Sequence, residues 1–375
     1  MQNALPTLHA TIKVNLGGRS YPVVVGAGAL RSIGPRLARL GVGRRAALIS
    51  DRTVLGLYGR AVLESLKTAG FAVSEILVPE GEMAKSLAVA EQCWDRCLGA
   101  RLDRNSTLLA LGGGAVGDLT GFVAATYMRG IPFVQLPTTL LAQVDASVGG
   151  KTAIDHPRAK NLIGAFHQPR LVITDPETLV TLPDREFRSG LAEVVKHGVV
   201  LDADYFADIE AGVEKILRRD LPTLERIIAG SCRLKARIVE ADEREGDSRA
   251  LLNYGHTVGH ALEAVTDYSR WLHGEAVSIG MVAAGRLAQR LGVAAGDVAE
   301  RPLRLLRAFG LPVTLDGPAP DTILEAMGRD KKVRDGKLPF VLAPRIGEGL
   351  LTFDVPVDLV RETLKEIQGS EPGGG

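Results

Sequence analysis

Histidine and glutamate residues in the second half of the sequence have the types and spacing of a metal site. Four of the seven histidines lie there: His197, His256, His260 and His273. His256 and His260 are four residues apart, as are Glu193 and His197, so each pair shares one face if its segment is helical. Imidazole and carboxylate ligands suit Zn²⁺ or a similar divalent ion, and three protein ligands with an open position are typical of a catalytic site.

The spacing leaves the choice of ligands open. The H-x-x-x-H pattern by itself favours His256 and His260 together, but it does not decide which three residues bind. Any single histidine is more often an ordinary polar or core residue than a ligand. Two helical pairs and a further histidine in one region favour the metal site over that alternative.

A glycine-rich segment in the first half has the features of a phosphate-binding turn. Leu109–Asp118 runs from a strand pattern through Gly112-Gly113-Gly114 into a helix pattern, which brings backbone N–H groups and a helix N-terminus close to an anion. It is neither G-x-G-x-x-G nor a Walker loop, and a turn that needs glycine only for its geometry is the alternative. Asp51 and the pair Thr138-Thr139, which follow other strand patterns, favour a nucleotide site at the same sheet edge.

Basic residues are the third candidate group. Lysines are usually solvated surface residues, and the sequence does not show whether these converge. If they met at one site in this nearly neutral chain, they would indicate a phosphorylated, multiply anionic substrate. The group consists of Arg129, Lys151, Lys160, Lys196, Lys235, Arg249 and Lys331-Lys332.

The first half of the sequence alternates strand and helix patterns, which predict the fold that carries the glycine turn. The helix patterns are Leu55–Ala69, Leu87–Gly99 and Gly117–Tyr127. The strand patterns are Ala10–Val14, Tyr21–Val25, Ala46–Ser50, Ala72–Val78, Thr107–Leu111, Phe133–Leu136 and Leu171–Thr174. We expect an α/β fold with a Rossmann-like, mostly parallel sheet, helices on both faces and ligands at the carboxyl ends of the strands.

The pattern becomes helical after Leu182-Pro183. This dipeptide marks a domain boundary, because proline and the residue before it resist helix. We therefore predict an α/β domain over residues 1–182, an α-helical domain over 183–368 and a flexible tail over 369–375. A late strand pair is expected at Leu338–Leu342 and Leu350–Phe353. The helix patterns are Leu191–Val200, Leu221–Glu240, Leu252–Ala264 and Ala276–Leu291.

Composition excludes several classes of protein. The 375 residues carry 45 basic and 44 acidic side chains, so no overall charge attracts nucleic acid or an anionic membrane. The longest run without Asp, Glu, Lys or Arg, Gly130–Val144, is too short and too interrupted for a membrane span. Three cysteines are too few for a disulfide framework, and we expect no signal peptide. A cytoplasmic enzyme is the default expectation.

Four motifs resemble the 3-dehydroquinate synthases, members of the sugar-phosphate cyclase family. They are GGGAVGDLTGF at Gly112–Phe122, LPTTLLAQVDASVGGKTAIDHPRAKNLIG at Leu136–Gly164, NYGHTVGHALE at Asn253–Glu263 and HGEAV at His273–Val277. The resemblance extends from about Lys13 to Leu364. It implies an N-terminal NAD-binding domain, a C-terminal helical domain, an active site between them and a homodimer.

The resemblance also implies roles for individual residues. The metal ligands, for Zn²⁺ or Co²⁺, would be Glu193, His256 and His273, and His260 would be a polar active-site residue instead of a ligand. The NAD contacts would be Asp51, Glu80, Glu82, Lys85, Gly114, Ala115, Val116, Gly117, Asp118, Thr138, Thr139, Thr178, Leu179 and Thr181, with Lys151 and Lys160 assigned here as well. The substrate residues would be Arg129, Asp145, Lys151, Lys160, Asn161, Lys196, Lys235, Arg249, Asn253, His260 and one of Lys331 or Lys332.

The implied reaction belongs to the shikimate pathway. It converts 3-deoxy-D-arabino-heptulosonate 7-phosphate to 3-dehydroquinate and phosphate through transient oxidation by NAD⁺, phosphate elimination, reduction and an intramolecular aldol closure. Three alternatives remain at this point. They are a cyclase for another sugar phosphate, a metal-dependent NAD alcohol or glycerol-phosphate dehydrogenase, and a catalytically inactive nucleotide-binding protein.

Overall fold

The computed structural model describes residues 9–246, 248–328 and 337–369. Its strands are β1 (Ala10–Val14), β2 (Tyr21–Val25), β3 (Arg45–Asp51), β4 (Ala72–Val78), β5 (Thr107–Gly112), β6 (Phe133–Pro137), β7 (Lys151–His156), β8 (Ala159–Phe166), β9 (Leu171–Thr174), β10 (Phe340–Arg345) and β11 (Glu348–Thr352). The seven strands predicted for the first half are all confirmed, each within one residue at either end.

The helices are α1 (Ile33–Arg39), α2 (Arg52–Val54), α3 (Arg60–Thr68), α4 (Leu87–Gly99), α5 (Gly114–Thr126), α6 (Asp184–Leu201), α7 (Ala203–Leu217), α8 (Leu221–Ala241), α9 (His256–Val265), α10 (His273–Arg290), α11 (Glu300–Ala308), α12 (Pro320–Gly328) and α13 (Val357–Glu366). A π-helical turn, Leu55–Gly59, joins α2 to α3. No helix within the described ranges is long and apolar enough to cross a membrane.

Contacts group the chain into two compact units. The first unit comprises Met1–Leu182 and Arg219–Arg244, and the second comprises Pro183–Arg218 and Glu245–Gly375. The grouping changes at Leu182–Pro183, where the sequence places a domain boundary. It also assigns α8, which the sequence analysis places in the helical domain, to the first unit.

The main sheet of the first unit has the strand order β1-β2-β9-β6-β5-β3-β4. All neighbours are parallel except β1, which pairs antiparallel with β2 at one edge. Residues of β3 alternate between two apolar clusters: Ala47 and Ile49 pack in the cluster that includes α4 and α5, and Ala46 and Leu48 in the cluster that includes α1 and α3. The predicted mostly parallel sheet with helices on both faces is therefore confirmed.

A hairpin, β7–β8, was not predicted. From their position between the predicted strands, Lys160 and Asn161 would be expected in a loop, but both lie in β8. The two strands pair antiparallel and are joined by a turn at Pro157-Arg158. Because β8 is mostly exposed, it lacks the alternation of buried and exposed residues by which a strand is recognised in sequence.

The three cysteines, Cys93, Cys97 and Cys232, are free and fully buried. Burial raises the pKa of each thiol to about 12. These thiols therefore belong to the apolar interior and carry no metal or nucleophile chemistry.

Candidate metal centre and dinucleotide site

Three helices of the second unit, α6, α9 and α10, approach each other at glycine contacts. A Cβ added at Gly274 in α10 would lie 1.9 Å from the backbone oxygen of Ser189 in α6. A Cβ added at Gly280 in α10 would lie 1.9 Å from the backbone oxygen of Gly255, the residue that precedes α9. Any side chain at these positions would push the helices apart, so glycine permits the spacing that brings their polar side chains together.

One carboxylate and two imidazoles meet where these helices approach. Glu193 Oε1 lies 3.6 Å from His256 Nε2 and 3.4 Å from His273 Nε2. One ligand atom from each residue lies within 4.8 Å of the others. With metal–ligand bonds of about 2.0–2.2 Å, tetrahedral coordination separates its ligand atoms by about 3.3–3.6 Å. The donor set and its spacing therefore fit a zinc-type ion with three protein ligands.

Charges around this cluster are arranged unevenly. Glu193 is fully buried and forms an ion pair with Lys196, which is 1% exposed. Burial and the Lys196 charge lower the pKa of His256 well below its ordinary value, so its imidazole is neutral, as a ligand must be. Burial opposes protonation of His273, but hydrogen bonds with Glu193 and Glu263 outweigh it and raise its pKa to about 10. A cation that binds here displaces that proton.

His260 lies beside this cluster. Its ring centroid is 5.1 Å from that of His256 and 6.2 Å from that of His273. A second possible group of ligand atoms consists of His260, Glu263 and His273. The structure thus brings His260 to the site, and the choice of Glu193, His256 and His273 as the ligands stays a prediction.

The remaining predicted residues of the second unit are partly described. Arg249 is buried, and Asn253 ends the short 3₁₀ helix Ser248–Asn253 that precedes α9. His197 is fully buried in α6, one turn after Glu193. Lys331 and Lys332 lie outside the described residues.

In the first unit, the predicted nucleotide residues gather at the carboxyl edge of the sheet. Asp51 ends β3, and Gly112 and Pro137 are register partners at the ends of β5 and β6. The N–H of Thr138 donates to the oxygen of Gly112 over 2.9 Å, so these two turns are adjacent. Helix α5 begins at Gly114, and its first-turn N–H groups lie at this edge, where parallel sheets bind ligands.

The glycines of this turn have different reasons for being glycine. A Cβ at Gly112 would lie 2.8 Å from the Val116 side chain, and one at Gly117 would lie 2.7 Å from Gln135 Oε1. Packing alone therefore explains both. A Cβ at Gly114 would meet only Ala146 Cβ, at 3.4 Å, so its glycine is not explained in the same way. The close approach of backbone to a phosphate stays a prediction, for which Gly114 at the start of α5 is the position that packing leaves open.

A buried lysine organises the residues around α5. The Lys85 ammonium donates to Asp118 Oδ2 over 2.9 Å, contacts Asn161 Oδ1 and lies 3.4 Å from Glu82 Oε1. Lys160 lies 3.6 Å from the same Glu82 oxygen. Burial opposes the charge on Lys85, but Asp118 and Glu82 outweigh it and raise the pKa of Lys85. Five residues predicted for NAD or substrate thus form one charged cluster.

Several predicted cofactor contacts already have structural partners. Asp51 Oδ1 accepts from the N–H of Val54 over 2.8 Å and so caps α2. The Thr178 hydroxyl accepts from Gln143 Nε2 over 2.9 Å, and Thr139 Oγ1 accepts from the N–H of Ala142 over 3.2 Å. These bonds fix the loops at the sheet edge, and contact with NAD stays a prediction. Contact with NAD likewise stays a prediction for Glu80, whose carboxylate accepts from Thr53, and for Thr181, Leu179, Ala115 and Val116.

The predicted substrate residues of the first unit lie in separate elements. Lys235 in α8 forms an ion pair with Asp145 and is 6% exposed. Lys151 begins β7 and is exposed. Arg129 is exposed with φ +67°, directly after Met128 with φ +50°. Two consecutive non-glycine residues in the left-handed region are strained, as in many functional loops.

Residues without a predicted role also belong to these sites. Glu263 contacts His273, and Tyr58 donates a hydrogen bond to the oxygen of Thr178 over 2.9 Å. The spacing of His256, His260 and Glu263 at i, i+4 and i+7 on one helix face could have identified Glu263. No sequence signal identifies Tyr58, because its partner lies far away along the chain.

Two family models match adjacent parts of the chain. The model described as 3-dehydroquinate synthase N-terminal matches residues 75–189, and the model described as 3-dehydroquinate synthase C-terminal matches residues 190–333. Together they cover the candidate metal residues and the start of α5, whereas Asp51 lies before the matched residues.

Individual proteins are similar over nearly the whole chain. A 3-dehydroquinate synthase from Pelotomaculum thermopropionicum is 51% identical over 97% of this chain and 99% of its own length. The solved 2-epi-5-epi-valiolone synthase from Streptomyces hygroscopicus, with NAD⁺ and Zn²⁺ bound, is 29% identical with a TM-score of 0.85, covering 92% of this chain and 96% of its own. A 2-deoxy-scyllo-inosose synthase complexed with carbaglucose-6-phosphate, NAD⁺ and Co²⁺ is 26% identical with a TM-score of 0.85, covering 95% and 100%.

The glycine contact between α6 and α10 yields a first prediction. Gly274→Ala places a methyl group against the Ser189 backbone, which cannot retreat as a flexible side chain would. We expect unfolding to become easier by about 1–3 kcal/mol or more, measured by thermal or denaturant unfolding, with weaker metal binding. Gly99→Ala in α4, where a Cβ meets nothing within 4 Å, is the control and should cost nothing. Equal stability of the two variants would contradict the packing argument.

Proposed function

The chain belongs to the 3-dehydroquinate synthase family, and we propose that its second unit holds the catalytic metal on Glu193, His256 and His273 while its first unit holds NAD⁺. The protein is a phosphate-eliminating carbon–oxygen lyase that converts 3-deoxy-D-arabino-heptulosonate 7-phosphate to 3-dehydroquinate and phosphate. Its cofactors are NAD and Zn²⁺ or Co²⁺. The observation that carries the ligand assignment is the spacing of 3.4 and 3.6 Å between Glu193 Oε1 and the two imidazole nitrogens.

The bound cofactors supply Lewis-acid polarisation of a substrate hydroxyl and reversible acceptance of hydride. The chain's own residues would orient the metal ligands and the substrate and balance their charges. Lys196 forms an ion pair with the buried carboxylate of Glu193 and so supplies it with a partner of opposite charge. His260, beside the cluster, has the position and chemistry to move a proton at a substrate hydroxyl.

The proposed substrate carries a phosphate and a carboxylate, so it requires cations. Lys235 and Arg249 are buried, which makes each a strong, weakly screened charge. In the proposal, Lys151, Asn161 and Arg129 hold the phosphate, and Lys196, Lys235 and Arg249 orient the carboxylate and hydroxyls. Lys160 is a further substrate contact. Asp145 pairs with Lys235 and so orients its ammonium. These assignments are part of the proposal, with one of Lys331 or Lys332 added to them.

In the first unit, the start of α5 and the Lys85 cluster form the proposed dinucleotide site. The first-turn N–H groups of α5, from Gly114 onward, would receive the pyrophosphate. Lys85 orders Asp118 and Asn161 around it through direct contacts. Asp51 has a second carboxylate oxygen besides the one that caps α2, and this oxygen would accept from ribose hydroxyls.

We include a homodimer and a cytoplasmic location in the proposal. Strand β8 exposes three large apolar side chains, Leu162 at 56%, Ile163 at 37% and Phe166 at 48%. Leu162 and Phe166, four residues apart, share one face of the strand. Exposed apolar side chains of this kind on a strand are a typical contact surface for a second copy. The free, buried state of all three cysteines fits a reducing compartment.

Metal content tests the ligand assignment. Glu193→Gln, His256→Ala and His273→Ala should each lower bound zinc well below about one per chain and abolish turnover, because three ligands hold a catalytic ion. His260→Ala is the matched control: it should keep its zinc and lose most activity. Elemental analysis of the purified variants measures this. Full zinc content in the three ligand variants, or its loss in His260→Ala, would contradict the assignment.

Product analysis tests the reaction. With substoichiometric NAD⁺, the heptulosonate phosphate should give dehydroquinate and free phosphate without a lasting rise in NADH absorbance. Glucose 6-phosphate and sedoheptulose 7-phosphate, which lack the carboxylate, should react more slowly by a factor on the order of 10⁴. Preference for either sugar would favour the alternative of another cyclase, like the two solved relatives. Net NADH would indicate a dehydrogenase.

Oligomeric state tests the proposed surface. Light scattering should give a mass of twice the 39.9 kDa chain. Leu162→Lys in β8 should shift the protein toward monomer, because it places a charge in the apolar contact. Leu57→Lys, at a residue that is 52% exposed elsewhere in the first unit, should leave the dimer intact. A monomeric wild-type protein would exclude this part of the proposal.

A further inference from the structure

The two ring nitrogens of His273 have different carboxylate partners. Nε2 lies 3.4 Å from Glu193 Oε1, and Nδ1 lies 3.3 Å from Glu263 Oε1 and 3.4 Å from Glu263 Oε2. Because the nitrogens point in different directions from the ring, the two carboxylates lie on different sides of it. Glu193 also lies 3.6 Å from His256 Nε2, so His256 and His273 Nε2 face the same carboxylate.

This arrangement fixes which nitrogen can bind a metal. A neutral imidazole has one N–H and one lone pair, and the hydrogen bond made by one nitrogen decides the role of the other. Glu263, as an acceptor at Nδ1, holds a proton there, so an ion that takes the place of the Nε2 proton meets a lone pair directed toward Glu193. It also restricts rotation of the ring.

The ring of His256 is oriented by a backbone oxygen instead of a carboxylate. Its Nδ1 lies 3.1 Å from the backbone oxygen of Tyr254, so its Nε2 likewise faces Glu193. The two histidines thus have equivalent orientation but different partners. A backbone oxygen cannot be removed by substitution, whereas the Glu263 carboxylate can, which makes Glu263 the testable half of the pair.

The position of Glu263 is well defined by its surroundings. It is 9% exposed and lies in the last turn of α9. The close approach of Gly280 to Gly255 holds α9 against α10, which begins with His273. Glu263 is therefore held near the ring by the packing of two helices.

We propose that Glu263 is a positioning residue for the metal centre, orienting His273 through Nδ1 and raising the affinity for the ion without being a ligand. The inference rests on the proposed ligand set and goes beyond it. Outer carboxylates of this kind commonly contribute 10- to 100-fold to metal affinity. The proposal assigns that contribution to Glu263.

The test measures zinc affinity of the full-length protein. The metal is removed by a chelator and titrated back in competition with a chromophoric chelator at one pH. Glu263→Leu should weaken zinc binding about 10- to 100-fold. Glu263→Gln keeps an acceptor oxygen but no charge, so its loss should be smaller. The Co²⁺-substituted protein should show a changed visible absorption spectrum in Glu263→Leu, since the ligand field follows ring orientation.

Two controls separate positioning from other effects. Asp267→Asn removes the same charge from an exposed residue just beyond α9 and should leave zinc affinity unchanged. Its φ of +47° suits asparagine. In a His273→Ala background, adding Glu263→Leu should cause no further loss, because Glu263 acts through His273.

The outcomes that overturn the inference are distinct from those that overturn the ligand set. Unchanged affinity in Glu263→Leu, with His273→Ala deficient in zinc, would refute positioning while leaving the ligands intact. Glu263→Gln as empty of metal as Glu193→Gln would make Glu263 a ligand. Full affinity in His273→Ala would refute the ligand set itself. If Glu263→Leu does not fold, Glu263→Gln and its cobalt spectrum decide between positioning and ligation.

Discussion

The fully buried carboxylate of Glu193 is the constraint on which the second unit depends. An ionised carboxylate without solvent is costly unless cations or hydrogen-bond donors surround it. Here Lys196, in α6 itself, and the protonated imidazole of His273, in α10, supply these partners. The neutral imidazole of His256, in α9, lies 3.6 Å from the same carboxylate, so α9 and α10 must both lie close to α6. The glycine contacts of α10 with Ser189 and Gly255 make that closeness possible. The close packing of these helices therefore also places the groups that stabilise the buried carboxylate.

In the first unit, backbone turns and one buried lysine hold the edge of the sheet where a dinucleotide would bind. Parallel strands deliver their carboxyl ends to one edge, and the turns there are fixed by their own hydrogen bonds before any ligand arrives. Lys85 is buried among carboxylates and ties β7–β8 to α5 through Asn161 and Asp118. Preorganisation of this kind lowers the entropy lost when a dinucleotide binds. Both units thus use a buried charged residue to hold polar groups in place.

Most strands of the first unit, and the side chains that share a helix face, could be predicted from residue types and patterns. Strands β1 to β6 and β9 follow runs of β-branched and apolar residues bounded by turn residues, so local pattern determines them. The i, i+4 pairs fix which side chains share a helix face. Strand β8 was missed because an exposed strand has no core face to impose a pattern. Glu263 was missed because a glutamate at helix spacing is ordinary until its partner is known.

The sequence by itself determined the strands of the sheet, the two helical pairs of ligand type and the family through long ordered motifs. Only the tertiary structure decided that Glu193, His256 and His273 bring one ligand atom each within 4.8 Å of the others, that His260 lies beside them, and that Glu263 contacts the second nitrogen of His273. The physical reason is range. Helix and strand patterns follow from neighbours within a few residues, whereas a coordination site needs atoms from separate helices placed to within fractions of an ångström, which only packing achieves.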